Sequence, residues 1–382
     1  MRRFEPAMFK FLRRFPSKVW LFLGGIFVCA GWFFLSEPSK APELTVQGKT
    51  LLSWVDSLIL QEKRAEATQV IHNMGVGAIR PLVGELRSPY PWLTVLNRWL
   101  PPHRDGLDYL PASFQDIVER HSRRAEQVVV LMTHAPAHWR DAMVEALIPI
   151  LSHGHVAERN WALRILITFP TQMADHVAAL RACLRQPVRR EGDIIMLVNA
   201  LTLARSMGEL AKALEPDILP LLGHEDRRIR HRAILAAGWL GLNGESCFPK
   251  LKPSLEGSPH DRRIALQTLS KIAPPKEECM IYLTEALKDP DEDIRRYGAE
   301  GLGNLRESAI SHLEALLPLL RDPSMGVRVA AATALGDMGP KAKEALPFLH
   351  DAMNNDFSGV GQECRMAIEK IDPTQIGQII VR

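Results

Sequence analysis

One pattern of apolar and polar positions occurs twice between residues 289 and 339, with the second copy 33 residues after the first. Both sets of apolar or small residues advance by 3, 1, 3, 1 and 3 positions. This spacing places them on one face of an α-helix and fits no strand, because strand faces alternate every second residue. The two sets are Ile294, Tyr297, Gly298, Gly301, Leu302 and Leu305, then Val327, Ala330, Ala331, Ala334, Leu335 and Met338.

The same spacing recurs along most of the chain. Weaker copies begin near Ser122 and Ile194, and the last five clear copies are 32, 33, 33 and 33 residues apart. A period of this length indicates a repeat architecture, in which a two-helix unit buries its apolar face only by stacking on its neighbours. The clear copies begin at Lys63, Glu158, Ile229, Asp261, Ile294, Val327 and Val360.

The second copy, from Leu319 to Gly339, carries the motif Leu-Leu-x-Asp-x-x-x-x-Val-Arg-x-x-Ala-x-x-Ala-Leu-Gly. This motif resembles the HEAT repeat in its bacterial form, the PBS-lyase HEAT-like family, and the match weakens toward the N-terminus. The resemblance implies an all-α fold, a right-handed α-solenoid of stacked two-helix repeats. In that family an Asp and an Arg of successive repeats form a structural ladder. The resemblance implies this role for Asp289, Arg295, Asp322, Arg328, Arg262 and Arg230.

The N-terminus predicts a membrane anchor. Residues 19–35 contain no charge, and as a helix they would span about 26 Å, which is marginally enough for a hydrocarbon core. Residues 1–18 carry six basic side chains against one acidic side chain, which favours a cytoplasmic N-terminus and an extracytoplasmic solenoid. A cleaved signal peptide, a lipidated Cys29 and a mitochondrial presequence are the alternatives.

The rest of the chain divides by composition and by the repeat. We expect a linker over 36–49, a first HEAT-like unit over 50–87, the repeat array over 115–372 and a C-terminal tail over 373–382. Residues 88–114 are rich in proline and aromatic residues, and are either an insertion or a degenerate repeat with Trp92 and Trp99 in its core. As an insertion they would supply a partner-binding element. The candidate partner-binding residues of this element are Tyr90, Trp92, Trp99 and Tyr109.

Charge adds a second candidate surface. The formal net charge is +3, but residues 1–18 hold +5, so the remainder is −2 and we expect no nucleic-acid partner. Basic residues recur one period apart where the second helices of successive units begin. They predict either a ridge that binds an acidic partner, or ladder residues together with solvated surface charges. The ridge residues are Arg227, Arg228, Arg263 and Arg296.

No motif indicates catalysis. The His-Glu dipeptide of di-iron HEAT-repeat enzymes occurs once among the 13 histidines, at His224, which we expect to cap a helix instead. The five cysteines have no zinc-like spacing, and we find no phosphate loop or nucleophile elbow. We therefore predict no catalytic residue, no metal site, no cofactor and no small-molecule substrate.

These observations predict a single-pass membrane protein of a bacterial cell envelope. Its solenoid would act as a scaffold or adaptor for a protein partner, without catalysis of its own. The alternative is an enzyme or enzyme subunit resembling the HEAT-like phycobilin lyases. A membrane anchor would be unusual for a lyase that acts on soluble antenna proteins.

Overall fold

The computed structural model describes residues 44–87, 112–355 and 360–375, and these residues are mostly helical. The chain forms two compact units. Unit 1 comprises Met1–Gln172 and Gln186–Met196, and unit 2 comprises Met173–Arg185 and Leu197–Arg382. The predicted membrane span lies outside the described residues, as do Tyr90, Trp92, Trp99 and Tyr109.

Unit 1 begins with a small hairpin and continues as helices. Short 3-10 segments stand at Gln61–Lys63, Gly75–Ala78 and Ala137–Trp139, and a further one, Pro170–His176, begins in unit 1 and ends in unit 2. The strands are β1 (Thr45–Val46) and β2 (Lys49–Thr50), and the helices are α1 (Leu51–Ser57), α2 (Arg64–Asn73), α3 (Ile79–Gly84), α4 (Ala112–Thr133), α5 (Arg140–His153) and α6 (Val156–Leu166).

The hairpin corrects the prediction that residues 36–49 are only a linker. β1 and β2 pair antiparallel, and the turn between them has positive φ at Gln47 and Gly48. The Trp54 indole N–H donates to the Val46 carbonyl at 3.2 Å, and the Lys49 ammonium lies 4.4 Å from the centre of the Trp54 ring. Trp54 of α1 therefore contacts both strands, so this part of the predicted linker has regular structure.

Helix pairs also make up the rest of unit 1. Helix α1 packs on α2 and α4, α3 packs on α5, and α6 packs on both α4 and α5. Trp54 and Trp139 are among the largest fully buried side chains of the protein. Helix α4 begins at Ala112, so the segment predicted as an insertion or degenerate repeat gives way to a regular helix within its last three residues.

Unit 2 contains α7 (Val177–Leu184) and the part of α8 (Glu191–Met207) from Leu197 onward. Its 3-10 segments are Gly208–Leu214, Leu219–Gly223, Arg306–His312, Leu317–Arg321, Gly339–Ala345 and Pro373–Gln375. Its further helices are α9 (Glu215–Ile218), α10 (Arg227–Trp239), α11 (Gly244–Leu255), α12 (Pro259–Ile272), α13 (Glu277–Ala286), α14 (Glu292–Asn304), α15 (Leu313–Leu316), α16 (Met325–Asp337), α17 (Leu346–Asn355) and α18 (Gly361–Ile371).

Local signals explain where these helices begin. Asp226 caps α10 by accepting hydrogen bonds from the Arg228 and Ile229 backbone N–H groups, and Asp291 caps α14 in the same way. Proline does not have the same effect in every repeat. At Pro220 and Pro318 the first helix changes from α to 3-10 geometry, whereas Pro149 and Pro253 lie inside α-helices.

The second helices of unit 2 are α10, α12, α14, α16 and α18, and each packs against the next. The first helices α11, α13 and α17 each pack on the second helix that follows them. Ile294 and Val327, the first residues of the two clearest copies of the pattern, are 1% and 0% exposed. The apolar face read from the sequence is therefore the buried core between adjacent helix pairs.

The second helices approach one another closely because small residues face each other. A Cβ added at Gly303 of α14 would lie 2.8 Å from the Cα of Ala334 in α16. At Gly336 of α16 it would lie 2.7 Å from the Cα of Ala367 in α18. The backbones therefore meet at these positions, and no larger side chain fits between them without a shift.

One helical stretch among the described residues, Glu191–Gly223, is long and apolar enough to cross a membrane by length and composition. Its most apolar window is 44% buried. Core helices of soluble proteins pass the same test, so this stretch is weak evidence for a membrane span.

Candidate functional site

Arg295 joins two consecutive units of the repeat. Its guanidinium donates to the Asp289 and Pro290 carbonyls of its own unit at 2.8 and 3.0 Å. It also donates, through two nitrogens, to the carboxylate of Asp322 in the next unit at 2.7 and 2.9 Å. Both side chains are largely buried, so this bidentate pair is a strong link between α14 and the turn before α16.

Two further arginines predicted for the ladder occupy equivalent places. Arg262 lies 2.7 Å from the carboxylate of Asp289 in the next unit. Arg328 donates to the Asp322 and Pro323 carbonyls at 2.8 and 3.3 Å, as Arg295 does one unit earlier. Arg328 stands six residues after Asp322, and its guanidinium reaches back to the turn that opens its own helix.

The unit that contains Arg230 uses a histidine in place of the aspartate. Arg230 donates to the His224 and Glu225 carbonyls at 2.7 and 3.1 Å, and lies 3.9 Å from the Asp261 carboxylate. The His224 Nδ1 accepts a hydrogen bond from the Asp226 backbone N–H at 3.0 Å. His224 therefore holds the turn before α10, while Asp226 is the residue that caps the helix.

The four arginines of the predicted basic ridge all lie beside carboxylates. This arrangement neutralises much of their charge and leaves a mixed surface at the start of the second helices. Asp293 lies between two of them, and the hydrogen bond from Arg296 holds its pKa below the usual value. The pairs are Arg227–Asp261 at 3.4 Å, Arg228–Asp226 at 3.0 Å, Arg263–Asp293 at 2.9 Å, Arg296–Asp293 at 2.8 Å and Arg296–Glu300 at 2.8 Å.

Asp261 is the most strongly held carboxylate of this surface. Burial acts to raise its pKa, but hydrogen bonds from Ser258 and His231 and the charge of Arg227 outweigh burial and hold the pKa well below its usual value. Burial also lowers the pKa of His231. Because Ser258 caps α12 and His231 belongs to α10, the cluster ties two neighbouring second helices together.

A second periodic set, which we call the end row, stands where the second helices end. These positions are mostly exposed, and they carry both charged and aromatic side chains. The end row consists of Arg205 on α8, Trp239 on α10, Lys271 on α12, Asn304 on α14, Asp337 on α16 and Lys370 on α18, with spacings of 34, 32, 33, 33 and 33 residues. The sequence analysis did not select this row, although the repeat period would have aligned it.

Trp239 is the exposed aromatic residue of the end row, with 46% of its surface accessible. The Arg205 guanidinium lies 5.2 Å from the centre of the Trp239 ring, and the Lys271 ammonium lies 4.6 Å from it. Cations at these distances are attracted to the negative face of an indole. Side chains of α8, α10 and α12 thus bring together an exposed indole and two positive charges.

A groove of about 460 Å³ lies between α14 and α16. Gly303, Ala330 and Ala334 are among the residues that line it, and their small size leaves the space open. Met325 and Val329 add apolar surface, and Met325 is 48% exposed. Asn304 and Asp337 of the end row also line the groove. Arg296 of the predicted basic ridge and its partner Glu300 line it as well.

Chemistry is sparse in the described part of the chain. No group of three or more His, Cys, Asp or Glu residues there could hold a metal ion. Burial, with a smaller contribution from Glu215, raises the pKa of the Cys247 thiol to about 12. Burial raises the pKa of the Cys279 thiol to about 12 as well, which makes both thiols unreactive.

Residues 282–369 match the family model described as HEAT repeats. Helices α14 and α16, the groove between them and all but the last two residues of α18 fall in this region. The HEAT match and the stacked helix pairs of unit 2 agree on an α-solenoid of HEAT type. No curated protein matches the chain.

Several solved structures are similar to the chain at low sequence identity. An engineered protein is 16% identical with a TM-score of 0.47, over 86% of this chain and 91% of its own. Kap121p bound to Nup53p is 14% identical with a TM-score of 0.42, over 91% of this chain and 46% of its own. A Kap121p mutant is 13% identical with a TM-score of 0.45, over 98% of this chain and 48% of its own. The chain thus spans about half the length of Kap121p.

Proposed function

We propose that this protein is a membrane-anchored HEAT-repeat scaffold that binds a protein partner along the second helices of unit 2 and has no catalysis of its own. The observation that carries the proposal is the groove between α14 and α16. Its apolar surface is exposed, its rim is charged, and it lies in the region that matches HEAT repeats. The proposal includes repeats of the PBS-lyase HEAT-like type, on the six-residue spacing of Asp322 and Arg328.

The groove has the composition of a protein interface. Binding surfaces combine an apolar centre with a polar rim, and methionine is favoured there because its flexible side chain adapts to a partner. Met325 and Val329 supply the apolar surface, and Arg296 and Glu300 stand at the rim with their charges already paired at 2.8 Å. A partner side chain could therefore enter without leaving a buried charge unpaired.

The groove is also held in shape before any partner binds. Arg295 and Asp322 link the two consecutive repeats that form the groove, and Gly303 lets the α14 and α16 backbones meet. A rigid surface binds with a smaller loss of conformational entropy than a mobile one. The repeat therefore supports binding by presenting a preformed surface.

The anchor in the proposal rests on residues 19–35 and the basic residues before them. A chain held at the membrane by its N-terminus would present the groove to partners at or near the same membrane. We propose an extracytoplasmic location for both units, in a bacterial cell envelope, from the excess of positive charge that precedes the apolar segment.

Proximity labelling from the full-length protein in its native cell tests the proposal. Thr333 is exposed and lines the groove, so Thr333→Arg should fill it while leaving the core intact. We expect the variant to lose at least one protein that the wild type labels. Ile281→Arg is the matched control, because Ile281 is 46% exposed and lies on α13, a first helix.

Identical labelling by the wild type and Thr333→Arg would contradict binding at the groove. For the lyase alternative, the purified protein is incubated with bilin and apoprotein. We expect no covalent adduct above the level seen without the protein, and adduct formation would contradict the absence of catalysis.

A further inference from the structure

Two kinds of positive charge occur on the second helices of unit 2. The four arginines of the predicted basic ridge, at the helix starts, each lie within 3.4 Å of a carboxylate. In the described part of the chain, no carboxylate lies within 4.0 Å of Arg205 or Lys271, and both side chains lie against the Trp239 ring. Arg205 and Lys271 are therefore two positive charges of the end row that no carboxylate neutralises among the described residues.

Trp239 adds an apolar surface and a hydrogen-bond donor to these two charges. Its side chain is exposed, and its indole N–H has no acceptor among the described residues. A guanidinium, an ammonium and an indole N–H all donate hydrogen bonds, and none of them accepts one. Together they suit a ligand that carries carboxylates next to apolar groups.

The number of charges favours a peptide over a polyanion. Binding to nucleic acid or to an anionic membrane depends on many cations acting together. Here two cations stand in a chain whose net charge after residue 18 is −2. Two cations match one or two carboxylates of a peptide segment.

We propose that Trp239, Arg205 and Lys271 form a clamp for an acidic segment of the protein partner. This inference rests on the proposed function and names the chemistry of the partner. The end row leads from the clamp to the groove between α14 and α16 through Asn304. Two helix spacings separate Trp239 on α10 from the groove at α14, a distance of roughly 20 Å. A peptide of about six extended residues spans this distance. The partner segment carries acidic residues at the clamp and an apolar residue about six positions away.

A peptide library tests the clamp even though the partner is unidentified. Random twelve-residue peptides displayed on phage are selected on the full-length protein in neutral phosphatidylcholine nanodiscs. We expect the selected peptides to be enriched in Asp and Glu. Their affinity should fall about tenfold or more with Trp239→Ala and with the double variant Arg205→Glu/Lys271→Glu. The double variant should regain affinity for the same peptides with Lys in place of the acidic residues.

Lys250→Glu/Lys288→Glu is the matched control, because both lysines are exposed and have no carboxylate partner among the described residues. Thermal unfolding of every variant shows whether it has folded.

Selected peptides without acidic enrichment, or with equal losses in the control, would overturn the clamp. Displacement of the peptides by phosphatidylglycerol vesicles but not by phosphatidylcholine vesicles would assign the site to a lipid surface and would also overturn it. Peptides that lose affinity with Thr333→Arg but not with Trp239→Ala would overturn the clamp alone and leave the proposed function standing.

Discussion

The role of each arginine in unit 2 is set by what its guanidinium contacts. Arg295 contacts carbonyls of its own unit and the Asp322 carboxylate of the next, so its charge is used inside the protein. Arg205 lies against the Trp239 ring with no carboxylate within 4.0 Å among the described residues, and its charge remains available. Arginine therefore stabilises the contact between repeats at the helix starts. In the end row we propose that it binds a partner.

The Arg295–Asp322 pair makes stability depend on pH. Burial acts to raise the pKa of Asp322, but the hydrogen bonds from Arg295 and from the Ser324 N–H outweigh it and hold the pKa below 3.8. A carboxylate with a lowered pKa stabilises the fold above its unfolded pKa, and that contribution is lost as pH falls through the folded value. We expect Asp322→Asn to lower the free energy of unfolding by about 2 kcal/mol at neutral pH.

Urea unfolding at several pH values measures this effect. The difference between the wild type and Asp322→Asn should shrink as pH falls below 3.8. Glu307→Gln is the control, because its pair with Lys341 is exposed and should contribute under about 1 kcal/mol. A difference that stays constant down to the acid limit would show that Asp322 does not act through its charge.

At the scale of the helices, small residues decide how closely the second helices pack. Gly326 and Gly336 belong to the same helix, α16, but face different surroundings. A Cβ at Gly336 would lie 2.7 Å from the backbone of Ala367, whereas a Cβ at Gly326 would lie 3.6 Å from the side chain of Arg296. The first distance requires a shift of α18, and the second is an ordinary contact.

Alanine substitutions at these two glycines should change stability in different directions. Gly336→Ala should destabilise unit 2 by about 1–3 kcal/mol, because overpacking forces the backbones apart. Gly326→Ala should leave stability unchanged or raise it by up to about 1 kcal/mol, because alanine favours the helix more than glycine does. Thermal and urea unfolding of the two variants measure both effects. Equal destabilisation would mean that helix contacts at Gly336 are looser than the structure shows.

At the scale of the whole molecule, the proposed function joins a binding surface to a membrane anchor. The surface belongs to unit 2, where the groove and the end row lie on the second helices. The anchor rests on the sequence of residues 19–35, which lie outside the described residues. The two parts are independent, so each needs its own experiment.

Membrane fractionation tests the anchor. We expect the full-length protein to stay in the membrane pellet after alkaline carbonate extraction, because an apolar helix that spans the bilayer is not released by charge repulsion. A chain without residues 1–35 serves as the control and should be found in the supernatant. N-terminal sequencing of the protein from its native cell separates the alternatives, and a mature terminus after residue 35 would show a cleaved signal peptide.

Much of the fold was predictable because the apolar residues of each repeat have the same spacing along the sequence. The spacing of Ile294 and Val327 predicted buried helical faces, and both residues lie in the core. The hairpin at residues 45–50 was not predictable from its composition, because it depends on Trp54 of the next helix. The periodic arginines predicted a ridge, but sequence period alone does not reveal which carboxylate each guanidinium reaches.

The sequence by itself determined that the chain forms helix pairs and which face of each helix is buried, because helix periodicity and burial follow from neighbouring residues. Only the tertiary structure decided where charge remains available. It places Asp293 beside Arg263 and Arg296, and it leaves Arg205 and Lys271 on either side of Trp239. The reason is physical: contacts between neighbouring repeats, such as Arg263–Asp293, join side chains some thirty residues apart, and stacking of the helices sets the distance between them.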